Sequence, residues 1–76
     1  MNHEIVDIAV VAIQNELREQ RRNVGRFPLV ALSKVHGKFP GYFQAALQRL
    51  VDRSLLTWDG HRFLTLTEEG FLWLWR

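Results

Sequence analysis

The stretch Phe39–Gly70, FPGYFQAALQRLVDRSLLTWDGHRFLTLTEEG, decides the fold. Phe43, Ala46, Leu47, Leu50 and Val51 recur at helical spacing, which predicts a helix from Pro40 to about Ser54 with one core-facing stripe. Pro40 suits a first helical turn, although Phe39 is a weak N-cap. Leu55-Leu56-Thr57-Trp58 and Arg62-Phe63-Leu64-Thr65-Leu66 are rich in strand formers. The Asp59-Gly60 pair between them predicts a hairpin with a short two-residue turn and strands at about 55–58 and 62–66. Thr67 is placed to cap a last helix over about 67–75, with Glu68 and Glu69 where the helix dipole favours negative charge. Thr65 and Glu68 also have capping-box spacing, which leaves that start uncertain by two residues. The following Phe71-Leu72-Trp73-Leu74-Trp75 is apolar all round as a helix and alternates its aromatics as a strand; the Thr-Glu-Glu-Gly lead-in favours helix.

Upstream, nothing breaks a helix from His3 to about Asn23. At 100° per residue, Ile5, Val6, Ile8, Ala9, Val10, Ala12, Ile13 and Leu17 cover an arc of roughly 200°, wider than one core stripe requires. Val11 falls outside it, beside Asn15, Arg18 and Arg22. Either this is a long core helix with a spare valine, or it also packs against a second copy of the chain. Val24-Gly25-Arg26-Phe27-Pro28 ends the helix, with Gly25 suited to a left-handed C-terminal position. Pro28 opens a short helix to Val35, with Leu29, Leu32 and Val35 or Val30 inward, and His36-Gly37-Lys38 forms the next turn.

Seventy-six residues make one domain, 1–76, near the lower size limit for folding without staples. The absence of cysteine excludes disulfides and thiolate metal sites. Stability must come from burial, and the 47% hydrophobic content, with three Trp and five Phe, exceeds what one small core readily hides. The net charge is only +2, milder than a dedicated electrostatic nucleic-acid binder shows. The apolar run Ile5–Ile13 is cut by Asp7 and too short for a signal peptide or a membrane span. A soluble cytoplasmic protein is expected, with no membrane partner.

The order helix, helix, turn, helix, hairpin, helix resembles the winged helix-turn-helix family over nearly the whole chain. Phe39-Pro40-Gly41-Tyr42 followed by Gln44-Ala45-Ala46-Leu47 looks like the start of a recognition helix. Leu50-Val51-Asp52-Arg53-Ser54-Leu55-Leu56 is similar to that helix's end running into the first wing strand. Leu64-Thr65-Leu66-Thr67-Glu68-Glu69-Gly70 is similar to the second wing strand and the next helix start in many bacterial regulators. These patterns are degenerate, and the family commonly has Gly where this chain has Ser54. The resemblance implies an α+β fold of three helices, a two-stranded hairpin wing and a C-terminal helix. It also implies sequence-specific double-stranded DNA binding by a small, homodimeric transcriptional regulator.

On that resemblance the third helix enters a major groove. Its outward face is Gly41, Gln44, Ala45, Gln48, Arg49 and Asp52. Glutamine can bond adenine's edge, arginine guanine's, and alanine can rest on a thymine methyl, so Gln44, Ala45, Gln48 and Arg49 are the expected base readers. Lys34, Lys38, Tyr42, Arg53 and Arg62 are the expected phosphate contacts, with His61 beside them on the wing. Asp52 and Asp59 place negative charge near the same face. Equally, Gln, Arg and Asp are what any solvated helix face contains.

Arg18, Arg21, Arg22 and Arg26 form the densest basic cluster; with Glu16 and Glu19 interleaved, surface ion pairing near a helix C-terminus explains it best. His3, His36 and His61 have no carboxylate or cysteine at ligand spacing, so no metal is expected. No catalytic arrangement, phosphate loop, cofactor or small-molecule substrate site is legible, and an enzyme is not expected. Self-association through the first and last helices is expected, with Ile5, Ile8, Val11, Ala12, Phe71, Trp73 and Trp75 at the interface. The alternative function is a winged helix protein-interaction module using that same surface without DNA.

Overall fold

The computed structural model describes residues 3–21 and 25–76; Arg22, Asn23 and Val24, on which the expected end of the first helix falls, lie outside them. Helix α1 (His3–Glu19) is followed by strand β1 (Arg26–Pro28), a 3₁₀ turn (Leu29–Leu32), α2 (Ser33–Lys38) and α3 (Phe43–Asp52). Strands β2 (Leu56–Trp58) and β3 (Phe63–Leu66) precede α4 (Glu68–Leu74). The three strands form an antiparallel sheet in the order β1-β3-β2. This is a small α+β domain. Among the described residues, no helix is long and apolar enough to cross a membrane.

The core is one apolar cluster between the helices and one face of the sheet. Helix α1 supplies Val6, Ala9, Val10, Ile13 and Leu17, and α3 supplies Phe43, Ala46, Leu47 and Leu50. Phe27, Leu56, Leu64 and Leu66 close it from the sheet, while Leu32, Val35 and Leu74 seal the remaining sides. No charged or polar side chain is buried among the described residues, so apolar contact alone holds the interior.

Strand β1 is the main departure from expectation. The expected helix from Pro28 to Val35 is instead a strand residue, a 3₁₀ turn and the start of α2. Arg26, Phe27 and Pro28 pair with Thr65, Leu64 and Phe63, and the Leu29 N–H continues the ladder to Arg62 O at 2.6 Å. Pro28 is tolerated because it closes the short strand, where its missing N–H costs no ladder bond. Gly25 is not the left-handed helix terminator either: Arg21 takes that conformation, at φ 49°. Gly25 O instead accepts from Leu66 N at 2.9 Å, and an added Cβ there would sit 3.0 Å from Leu66 O.

His36, Gly37 and Lys38, expected as a turn, complete α2. Helix α3 begins at Phe43 rather than Pro40, because the Phe39 carbonyl accepts from both Tyr42 N and Phe43 N (3.0 and 2.9 Å) in a tight turn through 40–42. The hairpin loop spans 59–62, longer than the expected two-residue turn. Asp59 makes the difference, its Oδ1 accepting from His61 N at 2.7 Å and Phe63 N at 3.2 Å. Gly60 supplies the left-handed residue at φ 85°.

Those backbone donors, His61 N first, hold the Asp59 carboxyl below its ordinary value of 3.8. A depressed folded-state pKa stabilises the native loop fully above 3.8 and loses that contribution as pH falls through the lower folded value. Asp59→Asn removes the titration while keeping an acceptor. The stability difference between wild type and Asp59→Asn should therefore shrink as denaturation curves are repeated from about pH 5 to about pH 3.

The end of α3 forms a Schellman motif. Leu55 N bonds to Leu50 O at 3.0 Å and Ser54 N to Val51 O at 2.9 Å, with Ser54 at φ 61°. Ser54→Gly should stabilise the domain by about 0.5–1 kcal/mol, since relief of left-handed strain outweighs the added chain entropy. Urea denaturation measures it; an unchanged or lower midpoint would contradict the strain.

The same turn seats α4. Thr67 Oγ1 donates to Ser54 O at 2.6 Å and accepts from Gly70 N at 2.9 Å, so it caps α4 while tying it to the end of α3. Thr67 N also donates to Leu55 O at 3.2 Å. Residues 68–74 are helical, which resolves the helix-or-strand ambiguity of the aromatic run.

Candidate nucleic-acid interface and adjoining grooves

Helix α3 presents Gln44 and Gln48 to solvent, four residues apart and one turn along the same face. Gln48 Nε2 donates to Asp52 Oδ1 at 2.9 Å, an i,i+4 bond along the helix surface. Ala45 is half-buried against the core. Arg49 departs from the expected arrangement. Its guanidinium pairs with Asp7 on α1 and lies 3.1 Å from His3 Nδ1, so it bridges α3 to α1 instead of extending outward. The Arg49 side chain is only 19% exposed. The expected base readers thus divide: Gln44 and Gln48 stay outward, Ala45 is partly covered and Arg49 is engaged in packing.

The expected phosphate contacts divide as well. Arg62 sits on the hairpin loop and Arg53 just past α3, both exposed. Tyr42 is half-buried against the core at the start of α3. Lys34 and Lys38 lie on the side of α2 that faces α1, where they line a shallow surface with Glu16 and Glu19. Lys38 also borders Glu4 and Asp7. Neighbouring carboxylates weaken the field that a phosphate backbone would meet there.

The hairpin loop does not stand apart from the helices. A groove of about 430 Å³ runs between it and the α2–α3 corner. Pro28, Leu29 and Val30 line one side, Ser33, His36 and Phe43 a second, and His61, Arg62 and Phe63 the third. His36 stacks on Phe43 with ring centroids 4.7 Å apart and planes 19° off parallel. Arg26 lies over the Phe63 ring at 4.0 Å, a cation–π contact. Two of the three histidines, His36 and His61, both exposed, border one groove. The sequence carried no sign of this, because the two lie 25 residues apart and only the tertiary fold brings them to the same groove. No group of three or more His, Cys, Asp or Glu among the described residues could hold a metal ion.

Arg18, the first residue of the arginine cluster, has a different role from the expected surface ion pairing. Arg18 donates through Nε to Leu74 O and through Nη2 to Arg76 O at 3.0 Å. Gln14 Nε2 donates to Trp73 O at 2.8 Å. Together they satisfy carbonyls at the C-terminal end of α4, with a cation at the negative end of its dipole. Arg26 is taken by Phe63, and Arg22 lies outside the described residues.

Of the expected interface residues, Phe71, Trp73 and Ala12 are half-buried against the chain's own core, and Ile5 is half-buried. Ile8, Val11 and Trp75 remain 50%, 51% and 53% exposed. Leu72, at 66%, was not among the expected set, and neither was Val30 at 70%. Ile8 and Val11 share a shallow depression with Phe39 between α1 and the end of α2. Comparison of the chain with protein-family models, with curated proteins and with solved structures finds no match.

Proposed function

We propose that this α+β domain is a winged helix module that binds double-stranded DNA as a small transcriptional regulator. The observation that carries the reading is the juxtaposition at the start of α3. Gln44 is exposed in the first turn, while Arg62 on the hairpin loop faces the same helix start across the groove. A recognition helix reads base edges with its N-terminal residues, and a loop beside it meets the flanking backbone. In this reading Gln44 and Gln48 carry specificity, and Arg62 and Arg53 hold phosphates. Arg49 joins them only by leaving Asp7. Homodimerisation rests on Ile8, Val11 and Trp75, with Leu72 added.

Selection from a random duplex library, followed by titration against salt, tests the proposal. Gln44→Ala should weaken the selected site by about 1–3 kcal/mol, roughly 5- to 150-fold, and relax specificity at one position. Arg62→Ala should weaken all duplexes alike and lower the salt slope by about one. Failure to retain any duplex at about 50 mM salt would remove DNA binding from consideration.

A second reading is favoured by the apolar surface. Ile8, Val11, Leu72 and Trp75 are exposed, whereas Arg49 pairs with Asp7 of α1 and Lys38 shares a depression with Glu4 and Asp7. Here the domain is a protein-interaction module. Sedimentation of wild type and Val11→Asp tests this surface: a dimer that dissociates in the variant supports it, a strict monomer at high concentration removes the homodimer, and the duplex titration separates the two readings.

A further inference from the structure

We propose that the groove between the hairpin loop and the α2–α3 corner binds a small, planar aromatic carboxylate. Its volume, about 430 Å³, falls within the usual range for small-ligand sites. Three flat rings are among its lining residues, His36 and Phe43, which stack on each other, and Phe63. Offset stacking on such faces favours an aromatic ligand over an aliphatic one of equal area.

The charge of the lining selects an anion. Arg62, His36, His61 and Ser33 are its polar lining residues, all able to donate hydrogen bonds, and no Asp or Glu lines the groove. Asp59, the nearest carboxylate in the loop sequence, is turned onto its own backbone donors. The Arg62 guanidinium makes no side-chain hydrogen bond or ion pair among the described residues, so its planar fork is open to a bidentate carboxylate. A second cation, Arg26, lies over the Phe63 ring at 4.0 Å and adds to the positive charge near the groove. A lining that combines apolar residues, aromatic rings and a cation matches a ligand with a ring at one end and a carboxylate at the other.

The proposal does not rest on DNA binding, because the ligand is read on the free protein. Nitrogen-15 NMR titration with 2-naphthoate should give saturable shifts at Leu29, Val30 and His61 to Phe63. The uncharged 2-naphthamide should bind at least tenfold more weakly, and a naphthylmethyl ammonium should leave these signals unmoved. Arg62→Ala and Val30→Asp should each weaken naphthoate at least tenfold. Val30 is largely exposed, so its variant is expected to fold, and the dispersed spectrum verifies that in the same experiment. Equal binding of acid and amide, shifts that do not saturate, or naphthoate affinity unchanged in both variants would each overturn the assignment. A protein that ignores duplex DNA yet passes this titration loses the regulator reading and keeps the ligand site.

Discussion

Gly70→Ala should lower the stability of the domain by about 2–3 kcal/mol, a fall in Tm of about 10–20 °C for a chain of this size. Alanine is the better helix former, and at an open site it would help by up to ~1 kcal/mol. Gly70 is not open. It is buried in the first turn of α4, and a Cβ there would overlap the carbonyl oxygen of Leu55 and lie 3.0 Å from Leu66 Cδ2. That carbonyl is pinned as well, since it accepts from Thr67 N at 3.2 Å where the chain after α3 meets the chain before α4. Backbone cannot step aside as a flexible side chain would, so either the cap bonds of Thr67 stretch or α4 tilts off the core. Gly37 supplies the control. It lies within α2 with nothing within 4 Å of an added Cβ, so Gly37→Ala should raise stability by about 0.5–1 kcal/mol. Thermal melts of the two variants should move in opposite directions; a Gly70→Ala melt at or above wild type would refute the close approach.

Phe27→Ala is expected to have the largest effect, a loss of about 3–5 kcal/mol. Phe27 is 1% exposed and ranks first among the fully buried side chains by size. It enters the core from β1, opposite Leu64 of β3. Removing its ring leaves a cavity bounded by strands and helices that are already close-packed, and collapse around it is limited. A domain this small has little reserve, because stabilities of about 5–15 kcal/mol are typical of larger ones too. The variant should therefore melt far below wild type or lose its cooperative transition. Phe27→Leu keeps most of the apolar volume and should cost no more than about 1.5 kcal/mol. Amide exchange at Leu64 offers a local check: its protection should drop with Phe27→Ala if β1 owes its place to this side chain. A Phe27→Ala melt within a few degrees of wild type would show that β1 is dispensable.

Phe27 and Gly70 mark where reading from sequence stops. Within Phe39–Gly70 the signals are local. The helical spacing of Phe43 to Leu50, the Asp-Gly turn and the Thr67 cap each act within a few residues, so helix, hairpin and helix were legible. The Thr67 hydroxyl bonding Gly70 N is what its position implied. Strand β1 carries no comparable signal: three residues, one of them proline, with no alternation to read. Its partners lie on β3, and only tertiary pairing makes Phe27 a core residue. Gly70 likewise read as an ordinary residue after two glutamates, because its constraint is a carbonyl from another segment.

The candidate site shows the same division. Gln44 and Gln48 were placed outward by helical phase alone, and the structure keeps them exposed. Arg49 has the phase of an outward residue but a side chain long enough to reach Asp7, 42 residues away in sequence. Arg18 similarly finds the carbonyl of Leu74 across 56 residues. Long cationic side chains choose partners by what lies within reach in three dimensions, which phase does not encode.

The Phe39–Gly70 sequence by itself determined the helix, the hairpin and the capped start of the last helix. It did so because helical period, turn chemistry and capping act over short separations. Only the tertiary structure decided that a third strand completes the sheet, that Arg49 faces α1, that Gly70 admits no side chain, and that His36 and His61 border one apolar groove. Each of these depends on segments distant in the chain being brought together by burial of a shared core, and burial is a property of the whole fold.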